Sequence, residues 1–214
     1  MRSRPILTLG IAVAAIAGLA LATPSSATQL GSTCSMAGAV AFVDKPTLAP
    51  NLPLSYTLTG AFGDCLQAPT VGDLQEVQNG TFQVGGTITL DDKGTTDTAD
   101  DVIVTLPAAG GTGSCAAGNT EGVGVIRWED DDSSISVVTF TAVNAGRVVA
   151  VRGLIVESVD LAEGHSLATD NTKYDVGDAF DGPLALDDVE TADCAGTGVE
   201  SATFTSQVII GGTS

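Results

Sequence analysis

An all-β domain, an antiparallel β-sandwich of Greek-key or jelly-roll type with two disulfides and a cleaved signal peptide ahead of it, is the fold class this sequence predicts. Three observations carry it. Apolar residues alternate with Ser and Thr at period two in several short runs, Gly-, Asp-, Asn- and Pro-rich connections separate the runs, and four cysteines follow an export-type leader. No stretch after the leader holds a 3.6-residue apolar period.

The elements can be justified in chain order. Arg2 and Arg4 supply a positive start, Ile6 to Ala22 an apolar run, and Ser25-Ser26-Ala27 a small-residue cleavage site, so 1–27 is predicted to be a signal peptide. The cut is placed after Ala27, with Ala20-Leu21-Ala22 as an earlier alternative. An uncleaved membrane anchor competes, because the run approaches bilayer-spanning length, but the small residues and Pro24 favour cleavage. Cys34, preceded by Gly31-Ser32-Thr33, lies too far downstream for lipid attachment. Removing 27 of the 214 residues leaves 187, read as one domain over 28–214 that buries roughly 70% of its unfolded surface.

Ala39 to Val43 is a weak strand. Leu54, Tyr56, Leu58 and Phe62 alternate with Ser55, Thr57, Thr59 and Ala61; Phe82, Val84, Ile88 and Leu90 with Thr81, Gln83, Thr87 and Thr89; and Phe204, Val208 and Ile210 with Thr203, Thr205 and Gln207. Such runs are half-buried strands. Val102 to Leu106, Val123 to Trp128, Ile135 to Val143 and Val148 to Val156 are β-branched runs with less regular alternation, expected near the middle of two packed sheets. The connections "DDKGTTDTADD", "PAAGGTGSCAAGN" and "VNAGR" are turn chemistry. Gly110 to Gly113 lacks the Lys-Ser/Thr and the helix of a phosphate cradle and reads as a flexible connection into Cys115. Ser158 to Thr191 reads as a long loop over one end of the sandwich.

In "RWEDDDSSISVV" Trp128 closes one strand, Ser134 or Ile135 opens the next, and Glu129 to Asp132 form the hairpin loop, where Asp tolerates turn geometry. If Ile126 points inward so does Trp128, which places the tryptophan in the core and not on a sugar-stacking platform.

An even count of cysteines in an exported chain predicts two disulfides among Cys34, Cys65, Cys115 and Cys194. Three pairings are open. Cys34 with Cys65 and Cys115 with Cys194 is favoured, because neither bridge then crosses the other. Zinc is disfavoured by the lack of a C-x-x-C pair and the isolation of the single histidine, His165.

All 26 acidic residues but only six of the eight basic ones lie beyond residue 27, so the mature chain carries a net charge of −20. That charge argues against nucleic acid, whose binding draws on Lys and Arg, and suits solubility, cation attraction or a basic partner. Calcium is the one cofactor with candidate ligands: Asp97, Asp100 and Asp101 before one strand, and Asp175, Asp178 and Asp181 in "YDVGDAFDG". Neither cluster matches an EF-hand, and turn-forming, solvated Asp is the plainer reading. No catalytic residue is assigned. His165 has no G-x-S-x-G nucleophile beside it, and nine aromatic residues supply little floor for glycoside chemistry. "NGT" at Asn79 is a formal glycosylation sequon, but Asn-Gly is also a turn signal ahead of the strand at Thr81, and the turn reading suffices.

The succession "GVGVIRWEDDDSSISVVTF", "GRVVAVRGLIVES" and "CAGTGVESATFT" resembles a group of exported actinobacterial β-rich proteins of unknown function. The resemblance spans Cys115 to Phe204. This chain departs from it in the Glu-Asp-Asp-Asp turn after Trp128 and in the more acidic loop from Asp160 to Asp181. It implies export and a β-rich fold and contributes no functional residue. The sequence therefore points to a secreted, non-enzymatic β-protein with a structural or binding role at or outside the cell surface, with no membrane contact after signal cleavage. Its extracellular partner or glycan is unspecified. A carbohydrate-binding or calcium-stabilised accessory domain is the first alternative, and an unrecognised extracellular hydrolase the second.

Overall fold

The computed structural model describes residues 31–67, 78–91, 99, 101–129, 134–159, 174–189 and 191–211. The predicted signal segment, His165, Asp97 and Asp100 lie outside them.

The described residues form eleven strands and one short helix. The strands are β1 (Ser32–Phe42), β2 (Leu52–Gln67), β3 (Gln78–Val84), β4 (Gly86–Asp91), β5 (Val102–Leu106), β6 (Ala109–Gly113), β7 (Ala117–Trp128), β8 (Ile135–Ala145), β9 (Val148–Val159), β10 (Ala179–Asp187) and β11 (Ser201–Ile210), with α1 at Thr191–Ala195. Every recorded strand pairing is antiparallel, and β1 pairs with both β2 and β11. That double pairing closes the sheet. The order β1-β2-β3-β7-β8-β9-β10-β11 and back to β1 is an eight-stranded barrel in which each strand neighbours the next along the chain, once β3 and β6 are counted as one position.

β3 pairs with the later half of β2 and the end of β7, while β6 pairs with Leu52 to Tyr56 and Gly118 to Glu121. Together they make one interrupted stave. The β4–β5 hairpin leaves the wall at the break, where Gly85 and Gly86 both have positive φ, 72° and 78°, that a side chain would strain. The Gln83 amide donates to the Gly85 and Thr87 carbonyls and holds this turn. The hairpin folds over the outside of β7 and β8, where Leu106 and Ile88 cover Val125, Ile135 and Val137.

Several expectations are corrected here. The sandwich of Greek-key or jelly-roll type gives way to a closed up-and-down barrel. Period-two alternation fits both architectures, and only the pairing of the first strand with the last separates them. The run from Thr81 to Leu90 is two strands and not one. Val102 to Leu106 is a mostly exposed hairpin strand and not a central one. The glycine run at Gly110 to Gly113 is ladder-bonded strand β6, and β10 lies within the segment read as loop.

Strand identity follows the predicted alternation where it was regular. Leu54, Tyr56, Leu58 and Phe62 are buried between half-exposed or exposed neighbours, as are Phe204 and Val208, and Ile210 continues the buried face. All nine aromatic side chains of the chain lie in or against one interior cluster. Trp128 is 1% exposed, as its placement in the core predicts, and donates its indole N–H to Ser136 Oγ at 3.1 Å. The strands on either side of the acidic turn pair as expected, Arg127 with Ile135, while 130–133 lie outside the described residues.

Inward glycines make room for these rings. Gly38 pairs with both Gly60 and Phe204, and the Phe204 ring lies over the two glycines. At Gly124 a Cβ would fall 2.3 Å from Phe82 Cε2. A barrel this narrow fills with side chains or holds one small ligand, so each large ring needs a small residue opposite.

One disulfide braces each end, in the favoured pairing. Cys34–Cys65 joins β1 to β2. A bulge in β2 between Phe62 and Cys65 restores Cys65 to the inward face, which strict alternation from Phe62 would have denied it. Cys115–Cys194 ties the β6–β7 turn to α1 at the other end.

Candidate ligand cavity

The two ends of the barrel differ in packing. At the Cys34–Cys65 end Trp128 stacks on Phe62, with ring centroids 5.7 Å apart, and meets Tyr174 at 5.1 Å. Ser158 Oγ donates to the Tyr174 carbonyl at 3.1 Å and fixes the segment that carries this plug. Burial raises the Tyr174 phenol above its ordinary pKa against the lowering hydrogen bond with Ser32, and nearby Asp178 raises it further.

At the opposite end the rings stop short and leave a cavity of about 80 Å³. Met36, Leu58, Phe140, Leu184 and Phe204 are among its walls. Over it lies a cap of three connections: 43–51 between β1 and β2, the turn 114–116, and the α1 segment. The Cys115 N–H donates to Thr47 O at 2.8 Å, Leu48 N–H to Cys194 O at 2.9 Å, and Val199 N–H to Pro46 O at 3.1 Å. An ion pair between Lys45 and Glu200, whose carboxyl is held low by that lysine, and the Cys115–Cys194 bridge complete the knot. Pro46, Cys115 and Val199 line the cavity from the cap side.

Four polar side chains reach this cavity, and they differ in what they already bond. Ser114 Oγ accepts the N–H groups of Ala116 and Ala117, and Asn144 Nδ2 donates to the Ser114 carbonyl at 3.2 Å, so both hold the turn. The hydroxyls of Tyr56 and Thr120, 8% and 5% exposed, bond each other at 3.0 Å between oxygens and no other side chain or carbonyl among the described residues. Burial raises the Tyr56 phenol above its ordinary pKa, against the opposing hydrogen bond from Thr120, so the phenol keeps its proton. Sequence reasoning had Tyr56 as a core residue and did not single out Thr120. Counting inward positions back from Trp128 through Ile126 reaches it.

The acidic candidates among the described residues do not converge. Among the described residues, no group of three His, Cys, Asp or Glu side chains is placed to hold a metal ion. Asp178, buried before β10, accepts the Asp175 N–H on Oδ2 at 2.9 Å and so caps its own turn. Burial raises its pKa, partly offset by that hydrogen bond, with Asp175 adding a smaller upward push. Asp181 occupies an outward position of β10 across from Arg152, in a row that runs Glu121, Thr141, Arg152, Asp181 over four strands. Asp101 stands at the entry to β5, while its partners Asp97 and Asp100 lie outside the described residues. Asn79 falls within β3 and not in a turn, with its carbonyl bonded by the Glu129 N–H.

Fold and cavity together define a class: a small, closed, antiparallel barrel with an apolar chamber under a disulfide-pinned cap. No protein-family model matches the chain, and no curated protein or solved structure matches it either.

Proposed function

We propose that this protein is an exported, non-catalytic barrel that works by binding, and that what it binds is a small apolar molecule held in the chamber under the cap. The observation that carries the reading is the 80 Å³ cavity, walled almost entirely by carbon and located where a fully packed barrel would have side chains. Apolar cavities stay dry and take up apolar guests. An engineered cavity of about 150 Å³ binds benzene or xenon, so one about half that size suits roughly three or four non-hydrogen atoms. At no more than about 1.5 kcal/mol per atom, such a guest binds no tighter than tens of micromolar, and the millimolar range is the working one.

Export is supported by the leader-like start of the chain and by two disulfides, which persist in oxidising compartments. Among the described residues no helix is long and apolar enough to cross a membrane. An apolar lumen with Thr57, Thr59, Thr203, Thr205 and Gln207 facing out is the reverse of the polarity of a membrane-spanning barrel. A sugar-stacking role draws no support from aromatic residues that all belong to the interior cluster.

The test is thermal unfolding of the mature chain with xenon under pressure and with cyclopropane. Binding to the folded state raises the transition temperature by mass action, about 2.7 kcal/mol at one hundred times Kd. Ala142→Leu, which adds volume to a cavity wall, should keep the fold and abolish the shift. Equal shifts in parent and variant would remove the cavity as the site.

A further inference from the structure

Resting on that reading of the cavity, we infer that its natural guest carries one hydrogen-bond acceptor, a carbonyl oxygen on a compact hydrocarbon frame, and that the Tyr56–Thr120 hydroxyl pair is the group that recognises it. Each hydroxyl has one hydrogen to give. Their mutual bond uses one, whichever residue donates, and neither hydroxyl meets another acceptor among the described residues. One O–H in the pair is therefore left over. Both residues are more than nine-tenths buried, and both line the chamber.

Buried donors without partners are rare in folded proteins, and spare acceptor capacity is tolerated more readily. The need is thus for an acceptor, supplied from inside the chamber. Ser114 and Asn144 compete poorly for the role, being already engaged with the 114–117 turn. A carboxylate guest is disfavoured, because no cationic side chain among the described residues lines the chamber to pair with it. A ketone or aldehyde of three or four non-hydrogen atoms meets each condition: neutral, apolar over most of its surface, with one oxygen to accept.

The probes are acetone and isobutene, which have the same shape and differ by oxygen against CH2. Their dissociation constants are measured for the parent and for Tyr56→Phe/Thr120→Val, so that the water-transfer difference between the probes cancels in the ratio. The ratio is expected to move about tenfold or more against the ketone in the variant, with isobutene still bound as the report of an intact chamber. An unmoved ratio, with both probes bound, overturns the acceptor inference and leaves the cavity reading standing. Absence of binding by either probe to the parent overturns both. A second readout needs no variant: the carbonyl stretching band of acetone bound to the parent should lie below its position in an alkane solvent. A band at the alkane position overturns the inference.

Discussion

Gly38 lies directly across from Phe204, and a Cβ built on it would fall 2.7 Å from the Phe204 Cζ and 2.1 Å from the Thr59 carbonyl oxygen. The ring fills the space that any side chain at this position would need. Because one obstacle is backbone and the other a buried ring, neither can move aside cheaply. Gly38→Ala should lower unfolding free energy by about 3 kcal/mol by overpacking, read from denaturant midpoints. A change within about 0.5 kcal/mol, the range of an ordinary surface substitution, would contradict this packing.

The single tryptophan offers an optical check on the other end of the barrel. With Trp128 1% exposed and stacked on Phe62, its emission should be blue-shifted in the native state, resist iodide quenching, and move red on unfolding. Trp128→Ala should cost about 3 to 5 kcal/mol. Ready quenching in the folded protein would put the ring outside.

Both tyrosines are buried, and burial raises both phenols above the ordinary value of 10.0. For a folded value above the unfolded one, the stabilising contribution is complete below the unfolded pKa and is lost as pH climbs through the folded pKa. Tyrosinate absorbance should therefore be missing at pH values where free tyrosine ionises and appear together with alkaline unfolding. Smooth ionisation near the ordinary value, with circular dichroism unchanged, would show that the phenols are open to water.

Asp178 gives a pH test with a variant. Its carboxyl is raised by burial, so the wild-type contribution is greatest below the unfolded value and declines as pH rises through the folded one. Asn retains an acceptor for the Asp175 N–H without the charge. Asp178→Asn should equal the parent in acid and match or exceed it at neutral pH, by urea denaturation. A calcium site there would give the opposite pattern, with the variant weaker in calcium and equal in EDTA.

The two disulfides separate their partners by 31 and 79 residues. Loop-closure entropy then assigns about 3.7 kcal/mol to Cys34–Cys65 and about 4.5 to Cys115–Cys194. Replacing Cys115 and Cys194 together by Ala should lower stability by that order. It should also speed the release of cyclopropane, since the bridge holds the cap. Unchanged release with lowered stability would detach the cap from access.

Much of the wall was legible in the chain alone. A strand buries alternate residues, so Leu54, Tyr56, Leu58 and Phe62, or Phe204, Val208 and Ile210, declare their inward face by spacing. The inward glycines had no such signature, and neither did the glycine-rich β6, because a residue without a side chain leaves no polarity to alternate. The break at Gly85 and Gly86 was hidden for a related reason: the hairpin beyond it keeps period two while turning to cover a different surface. Alternation states which side of a strand is oily, and it is silent about which strand lies next to which. Closure, the chamber and the meeting of Tyr56 with Thr120, 64 positions apart, were decided only when β1 found both β2 and β11, since pairing between distant strands is a property of the whole sheet.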